Sequence, residues 1–154
     1  MRARIVNETA EARLIIIGDG KLKKNLLQKA ESLGISEKVD MVGKKVPYEY
    51  MRHGDIFVLS SLWEGFGLVL IEAMSLGMPV VSTDCDYGPN EIIENEKSGL
   101  LVPVANPHKL ASAILRLIGD EKLRADLSVE AKKRSQYFSS DKMVSGYEEI
   151  FENL

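Results

Sequence analysis

Residues 60 to 79 read S-S-L-W-E-G-F-G-L-V-L-I-E-A-M-S-L-G-M-P, running from Ser60 to Pro79. This is the end of an apolar strand, a glycine-rich turn, and a helix that is apolar nearly all round. Two glutamates interrupt it, Glu64 in the turn and Glu72 within the helix. A carboxylate among Leu68, Val69, Leu70, Ile71, Ala73, Met74 and Leu76 is out of place. Burying that charge costs roughly several kcal/mol unless something binds it. Gly65 and Gly67 permit positive φ and let a ligand approach the backbone closely. The N–H groups at the start of the following helix, from about Gly67 to Val69, suit an anion such as a diphosphate. Glu72, a turn deeper, suits a vicinal diol such as a ribose, and Glu64 suits sugar hydroxyls. The plainer alternative is a buried helix whose carboxylate is satisfied by backbone or by a lysine.

The chain on either side repeats one pattern. Leu14-Ile15-Ile16-Ile17 is a continuous apolar run closed by Gly18-Asp19-Gly20, as expected of a strand buried on both faces. Lys21 to Leu33 carries Leu22, Leu26, Leu27, Ala30 and Leu33 at helical spacing, with Gly34 as its stop. Val39 to Val42, Ile56 to Ser60, Pro79 to Thr83 and Gly99 to Val102 read as further strands. Pro47 to His53, Gly67 to Leu76 and Pro89 to Glu94 read as the helices between them, and Arg4 to Thr9 as a helical turn or two. In the third of the helices, Gly88, Pro89 and Glu91 fit the cap, first and third positions. Lys109 to Ile118, Glu121 to Gln136 and Asp141 to Glu152 complete the helices. Short strands alternating with helices specify an α/β, Rossmann-like three-layer sandwich with a mostly parallel sheet. Ligands of such sheets bind beyond the C-terminal ends of the strands. Gly18 to Gly20, Gly43 to Lys45, Ser60 to Gly67 and Thr83 to Gly88 all stand at such ends.

Composition narrows the function. At 154 residues the chain suits one domain with a real core. A net charge of −3 leaves no basic footprint for nucleic acid. The one cysteine, Cys85, makes no internal disulfide and fits a cytoplasmic setting. No apolar run approaches a membrane span, and no secretory leader opens the sequence. Gly18-Asp19-Gly20 is half of a dinucleotide fingerprint, but Lys23 stands where the third glycine belongs. A tight strand-to-helix turn is the simpler reading. Ser60 and Ser61 lack a convincing base among His53 and His108, and Cys85 between Asp84 and Asp86 has no cation to activate it. Lys44 and Lys45 read as solvated loop charges, and Trp63 as either a core anchor or a lining residue. No metal ligand set and no cofactor site emerges.

The stretch E-G-F-G-L-V-L-I-E-A-M-S-L-G-M-P-V-V closely resembles the Glu-x7-Glu motif of retaining glycosyltransferases of the two-domain GT-B fold, the group 1 family. I-I-I-G-D-G, V-D-M-V-G, I-F-V-L-S-S, D-Y-G-P-N-E-I-I and S-G-L-L-V-P extend the resemblance over nearly the whole chain. The resemblance implies the C-terminal, nucleotide-sugar-binding half of that fold over residues 1–154. It implies Glu64 as the catalytic-site carboxylate near the donor hexose, and Glu72 on the nucleotide ribose. Gly65, Phe66, Gly67, Leu68 and Val69 then meet sugar and phosphates, and Gly18 and Gly43 stand at donor-binding strand ends, the latter beside the base. The implied reaction moves a hexose from a nucleoside-diphosphate sugar to a glycan or lipid-linked acceptor with retention. No metal or other cofactor takes part. Cell-envelope polysaccharide synthesis is the implied setting, with the full-length enzyme cytoplasmic or at the inner face of the membrane. A non-catalytic nucleotide-sugar binding module is the alternative, and a sugar-nucleotide epimerase a more distant one.

The chain also departs from that family. The N-terminal acceptor domain, the first strand of the C-terminal domain and a phosphate-clamping Arg/Lys pair have no counterpart in these residues. The expectation is therefore a donor-domain fragment, inactive alone, in which strands Leu14 to Ile17 and Ile56 to Ser60 close up or another chain fills the slot. Exposed strand edges, or the last helix with Met143, Val144, Tyr147, Ile150 and Phe151, would be the surfaces of a homodimer.

Overall fold

Glycine closes the first two apolar runs, and the computed structural model, which describes Ile5, Thr9 and residues 12–153, ends β1 and β2 at those points. The order is β1 (Leu14–Ile17), α1 (Lys23–Ser32), β2 (Val39–Gly43), α2 (Pro47–His53), β3 (Phe57–Leu59), α3 (Leu68–Ser75) and β4 (Val80–Asp84). Then come α4 (Pro89–Ile92), β5 (Leu100–Pro103), α5 (Pro107–Gly119), α6 (Glu121–Ser135) and α7 (Ser140–Glu152). Short 3-10 turns cover Ser36–Lys38 and Gln136–Phe138. Of the turn expected over Arg4 to Thr9, Ile5 and Thr9 are described: the Thr9 amide and hydroxyl both donate to the Ile5 carbonyl, at 2.9 and 2.7 Å. The rest of that turn lies outside the described residues. The chain divides into two compact units, Met1–Tyr50 and Met51–Leu154.

In the first unit β1 and β2 pair in parallel, Leu14 opposite Val39 and Ile16 opposite Met41, with a register shift before Ile17 meets Gly43. Gly34, at φ 68°, ends the connecting helix by donating its N–H to the Glu31 carbonyl at 2.9 Å. Burial here departs from the sequence expectation. Leu14 and Ile15 are half exposed, and α1 buries Ala30 while Leu22, Leu26 and Leu27 remain exposed. Two strands and one helix offer too little surface to cover both faces of the pair. β1 and β2 make a sheet of their own, and β3, β4 and β5 make a second one.

The second unit is a three-layer sandwich on the parallel order β3-β4-β5. Central β4 alternates its contacts as a pleat requires. Val80 packs with Leu70, Ala73 and Met74 of α3, Ile92 of α4 and Ala131 of α6. Val81 faces the opposite way, onto Leu100, Leu117 of α5 and Leu127 of α6. The later helices begin on side-chain caps: Asn106 accepts from the Lys109 amide, Asp120 from Leu123 and Ser139 from Lys142. Helix α7 buries none of its residues, so Met143, Val144, Tyr147, Ile150 and Phe151 form an exposed apolar face. Among the described residues no helix is long and apolar enough to cross a membrane.

Helix α3 supplies an internal comparison, because Leu70 is 0% exposed and Leu68 is 66% exposed. Leu70→Ala is expected to lower unfolding free energy by about 2–5 kcal/mol through the cavity it leaves. Leu68→Ala is expected to stay within about 0.5 kcal/mol of the parent. Urea denaturation at equilibrium measures both, and a similar loss in the two variants would contradict this packing.

Candidate functional site

The second unit assembles its candidate residues where β3 and β4 leave the sheet. Beyond Leu59 the chain turns, and the Ser61 hydroxyl donates to Glu64 Oε1 at 2.6 Å. The Ser61 carbonyl in turn accepts from Thr83 Oγ1 on β4, also at 2.6 Å. A half-buried carboxylate is thus held by a hydroxyl whose own backbone is tied to the neighbouring strand. A hydroxyl bonded to an ionised oxygen is among the stronger hydrogen bonds.

The turn then passes Gly65 and Phe66 to Gly67, whose φ of 88° and ψ of 43° lie in the left-handed region. Only glycine holds that conformation at little cost. Leu70 donates its N–H to the Gly67 carbonyl at 2.8 Å, closing the first turn of α3. The amides of Leu68 and Val69 stand at the helix start, where no carbonyl of the same helix is available to them. Glu72 follows Leu68 by four residues and so shares its face one turn further on. It is partly buried, not enclosed, since α3 buries only Leu70, Ala73 and Met74 among its residues. The helix that is apolar nearly all round in sequence is thus buried along one side. An α-helix of eight residues lying on one sheet face covers one side of itself and leaves the other to solvent.

The loop after β4 presses on this turn. A Cβ at Gly88 would lie 1.9 Å from the Phe66 carbonyl oxygen and 2.4 Å from its carbon. Gly88 also donates its N–H to Glu91 Oε1 at 3.1 Å, so Gly88, Pro89 and Glu91 begin α4 as their spacing predicts. From the other side the Phe66 ring meets Phe138 edge-on, with centroids 6.0 Å apart. The Arg134 guanidinium lies 5.0 Å from the centre of that Phe138 ring.

In the first unit the structure brings Gly18 and Gly43 together: the Gly18 amide donates to the Gly43 carbonyl at 2.8 Å. Both have positive φ, 134° and 72°. Lys44, Lys45, His53 and His108 are exposed, and Trp63, at 80% exposure, is no core anchor. Among the described residues no group of three or more His, Cys, Asp or Glu is placed to hold a metal. Sequence reasoning missed Thr83, Arg134 and Phe138, and read Ser61 only as a nucleophile without a base. The available signal was slight: Arg134 and Phe138 are four residues apart, but Arg134 closes a Lys132-Lys133-Arg134 run that reads as an ordinary charged helix end.

Residues 3–134 match the family described as glycosyl transferases group 1. The chain belongs to that family. It is 35% identical over 135 residues to a Campylobacter jejuni N-acetylgalactosamine-N,N'-diacetylbacillosaminyl-diphospho-undecaprenol 4-alpha-N-acetylgalactosaminyltransferase, covering 87% of this chain and 37% of that protein. The S. aureus TarM mutant crystallised with Fondaparinux, alpha-GlcNAc-glycerol and UDP superimposes with a TM-score of 0.88 at 28% identity, over 96% of this chain and 30% of that one. The C-terminal domain of a group 1 family protein (LpcC) from Francisella tularensis gives 0.78 at 28% identity, over 86% and 72% of the two chains. The chain spans less than half the length of the curated relatives it matches.

Cys85, the one cysteine of this group 1 chain, is 2% exposed beside the turn. Burial pushes its thiol above the ordinary range, and the charges of Glu64, Asp84 and Asp86 push the same way against a lowering backbone hydrogen bond. The thiolate is the reactive form. Native Cys85 is therefore expected to alkylate with iodoacetamide at pH 8 at least about tenfold more slowly than in the urea-unfolded chain. Equal rates, followed by mass spectrometry, would contradict the burial.

Proposed function

We propose that this chain is the C-terminal, donor-binding domain of a retaining GT-B glycosyltransferase. The whole enzyme moves a hexose from a nucleoside-diphosphate sugar to a glycan or lipid-linked acceptor in cell-envelope polysaccharide synthesis. One observation carries the reading: a carboxylate fixed by Ser61 opens a glycine turn that runs into a helix start, with a second carboxylate one turn beyond.

Glu64 accepts hydrogen bonds from the hexose hydroxyls, and the backbone of Gly65, Phe66 and Gly67 lies along the sugar. The Leu68 and Val69 amides face the diphosphate, where fixed donors favour the charge that grows on the leaving oxygen. Glu72 holds the ribose diol, and Gly18 and Gly43 are donor-binding positions of the first unit. In the transfer, the bond from the anomeric carbon to the diphosphate oxygen breaks and its electron pair leaves with the diphosphate. The acceptor oxygen forms the new bond on the same face and gives up its proton to the departing diphosphate oxygen. No metal or cofactor is assigned a part. The UDP bound by the TarM mutant and the lipid-linked diphosphate acceptor in the Campylobacter enzyme's name support the substrate classes.

The domain reading has separate support. The LpcC relative is itself a C-terminal domain, and this chain covers 72% of it. On this reading the acceptor side belongs to an N-terminal domain of the same enzyme. That domain would cover the apolar face of α7, and the donor domain alone would transfer no sugar.

Calorimetry of the chain against UDP, GDP and ADP and their glucose conjugates tests the proposal. At least one is expected to bind, and Glu72→Ala should weaken that binding by about 1–3 kcal/mol through the lost charged hydrogen bonds. Unchanged affinity in Glu72→Ala would remove this carboxylate from the site.

A further inference from the structure

The donor turn has a support that comes from far along the chain. Arg134, on the last turn of α6, makes several contacts with one planar group. Its Nε donates to the Ile92 carbonyl at 3.0 Å and its Nη2 to the Glu91 carbonyl at 2.6 Å. These are backbone acceptors at the C-terminal end of α4, where a helix leaves carbonyls unpaired and favours a cation. A third nitrogen lies 3.4 Å from Glu94. The guanidinium face meanwhile covers the Phe138 ring, and the Phe138 ring meets Phe66 in a T-shaped pair at an interplanar angle of 68°.

Phe66 lies within E-G-F-G, flanked by two glycines. Gly65 on one side and Gly67 on the other bring the backbone freedom that glycine always brings. The ring itself is 38% exposed. Its carbonyl is confined by Gly88, whose position depends on the start of α4 through Gly88 and Glu91. Arg134 thus reaches Phe66 by two routes. One runs through the Phe138 ring, and the other through the α4 carbonyls to the Gly88 backbone. Lysine has neither the fork nor the flat face for both tasks.

We propose that Arg134 is a positioning residue: with Phe138 it braces Phe66, and so fixes the Glu64–Gly67 turn for the nucleotide-sugar donor. It touches no substrate and acts through Phe66 and Gly88. The donor part of this inference rests on the function proposed above, whereas the brace itself does not.

The test uses the 154-residue chain and its Arg134→Met, Arg134→Lys, Phe138→Leu and Phe138→Tyr variants. Amide exchange by NMR follows Leu70, whose N–H bonds to Gly67, with the amides of β4 as internal reference. Arg134→Met and Phe138→Leu are expected to speed Leu70 exchange about tenfold and leave β4 unchanged. They should weaken whichever of UDP, GDP or ADP the parent chain binds by a similar factor. Phe138→Tyr keeps the ring and should restore both readings; Arg134→Lys should restore neither. Unchanged Leu70 exchange in Arg134→Met would overturn the brace, as would an equal rise in β4, which would mark general destabilisation. Faster Leu70 exchange with unaltered nucleotide affinity would overturn its role in donor binding. If the parent binds no nucleotide, the donor-site reading falls, and the exchange data still decide the brace.

Discussion

Two backbone segments meet where a side chain cannot fit. The Cα of Gly88 lies so close to Phe66 that a methyl group would overlap the Phe66 carbonyl. Any residue other than glycine at this position would drive the two segments apart. The contact brings the loop after β3 against the loop after β4. The Ser61–Thr83 bond ties the loop after β3 to strand β4 itself a few residues earlier. The orientation of Glu64, the left-handed Gly67 and the start of α3 all follow from a turn clamped at both points.

Sequence alone disclosed the local parts of this arrangement. Glycine at the end of two apolar runs marked the ends of the first two strands, and the order Gly88, Pro89, Glu91 marked a helix start. Each of those signals lies within a few residues of what it specifies. The two glutamates were visible because charges among Leu, Val and Ile are rare. What stayed hidden depends on distant partners. Thr83 is 22 residues from the Ser61 carbonyl it meets, and Arg134 is 42 from Ile92. No periodicity relates such pairs. Burial in β1 was misjudged for another reason. An Ile-rich run signals the wish to be covered on both faces, but cover is supplied by neighbours, and two strands with one helix supply too few.

The second unit shows what enough neighbours achieve. Its central strand β4 has Val80 and Val81 fully enclosed on opposite sides. Polar residues on the same strand, Ser82 and Thr83, are buried too, and both hydroxyls donate to backbone carbonyls. Helix α6 takes part on both faces, giving Ala131 to one cluster and Leu127 to the other. A helix shared by both layers is well placed to carry Arg134 to the turn, since its position is fixed by packing on each side of the sheet. Helix α7 differs: it follows Phe138, buries nothing, and leaves its apolar residues to solvent.

The sequence positions of these groups set an order on the growing polypeptide. Synthesis delivers Glu64, the glycine turn and Gly88 well before it delivers Arg134 and Phe138. The pieces of the site are therefore made first, and the contacts that hold Phe66 in place become available only once Arg134 and Phe138 have been added. A nascent chain halted in α6 would carry every residue of the glutamate motif and still leave the Phe66 ring without its partner. The order of synthesis, motif first and brace later, is thereby written into the geometry of the turn.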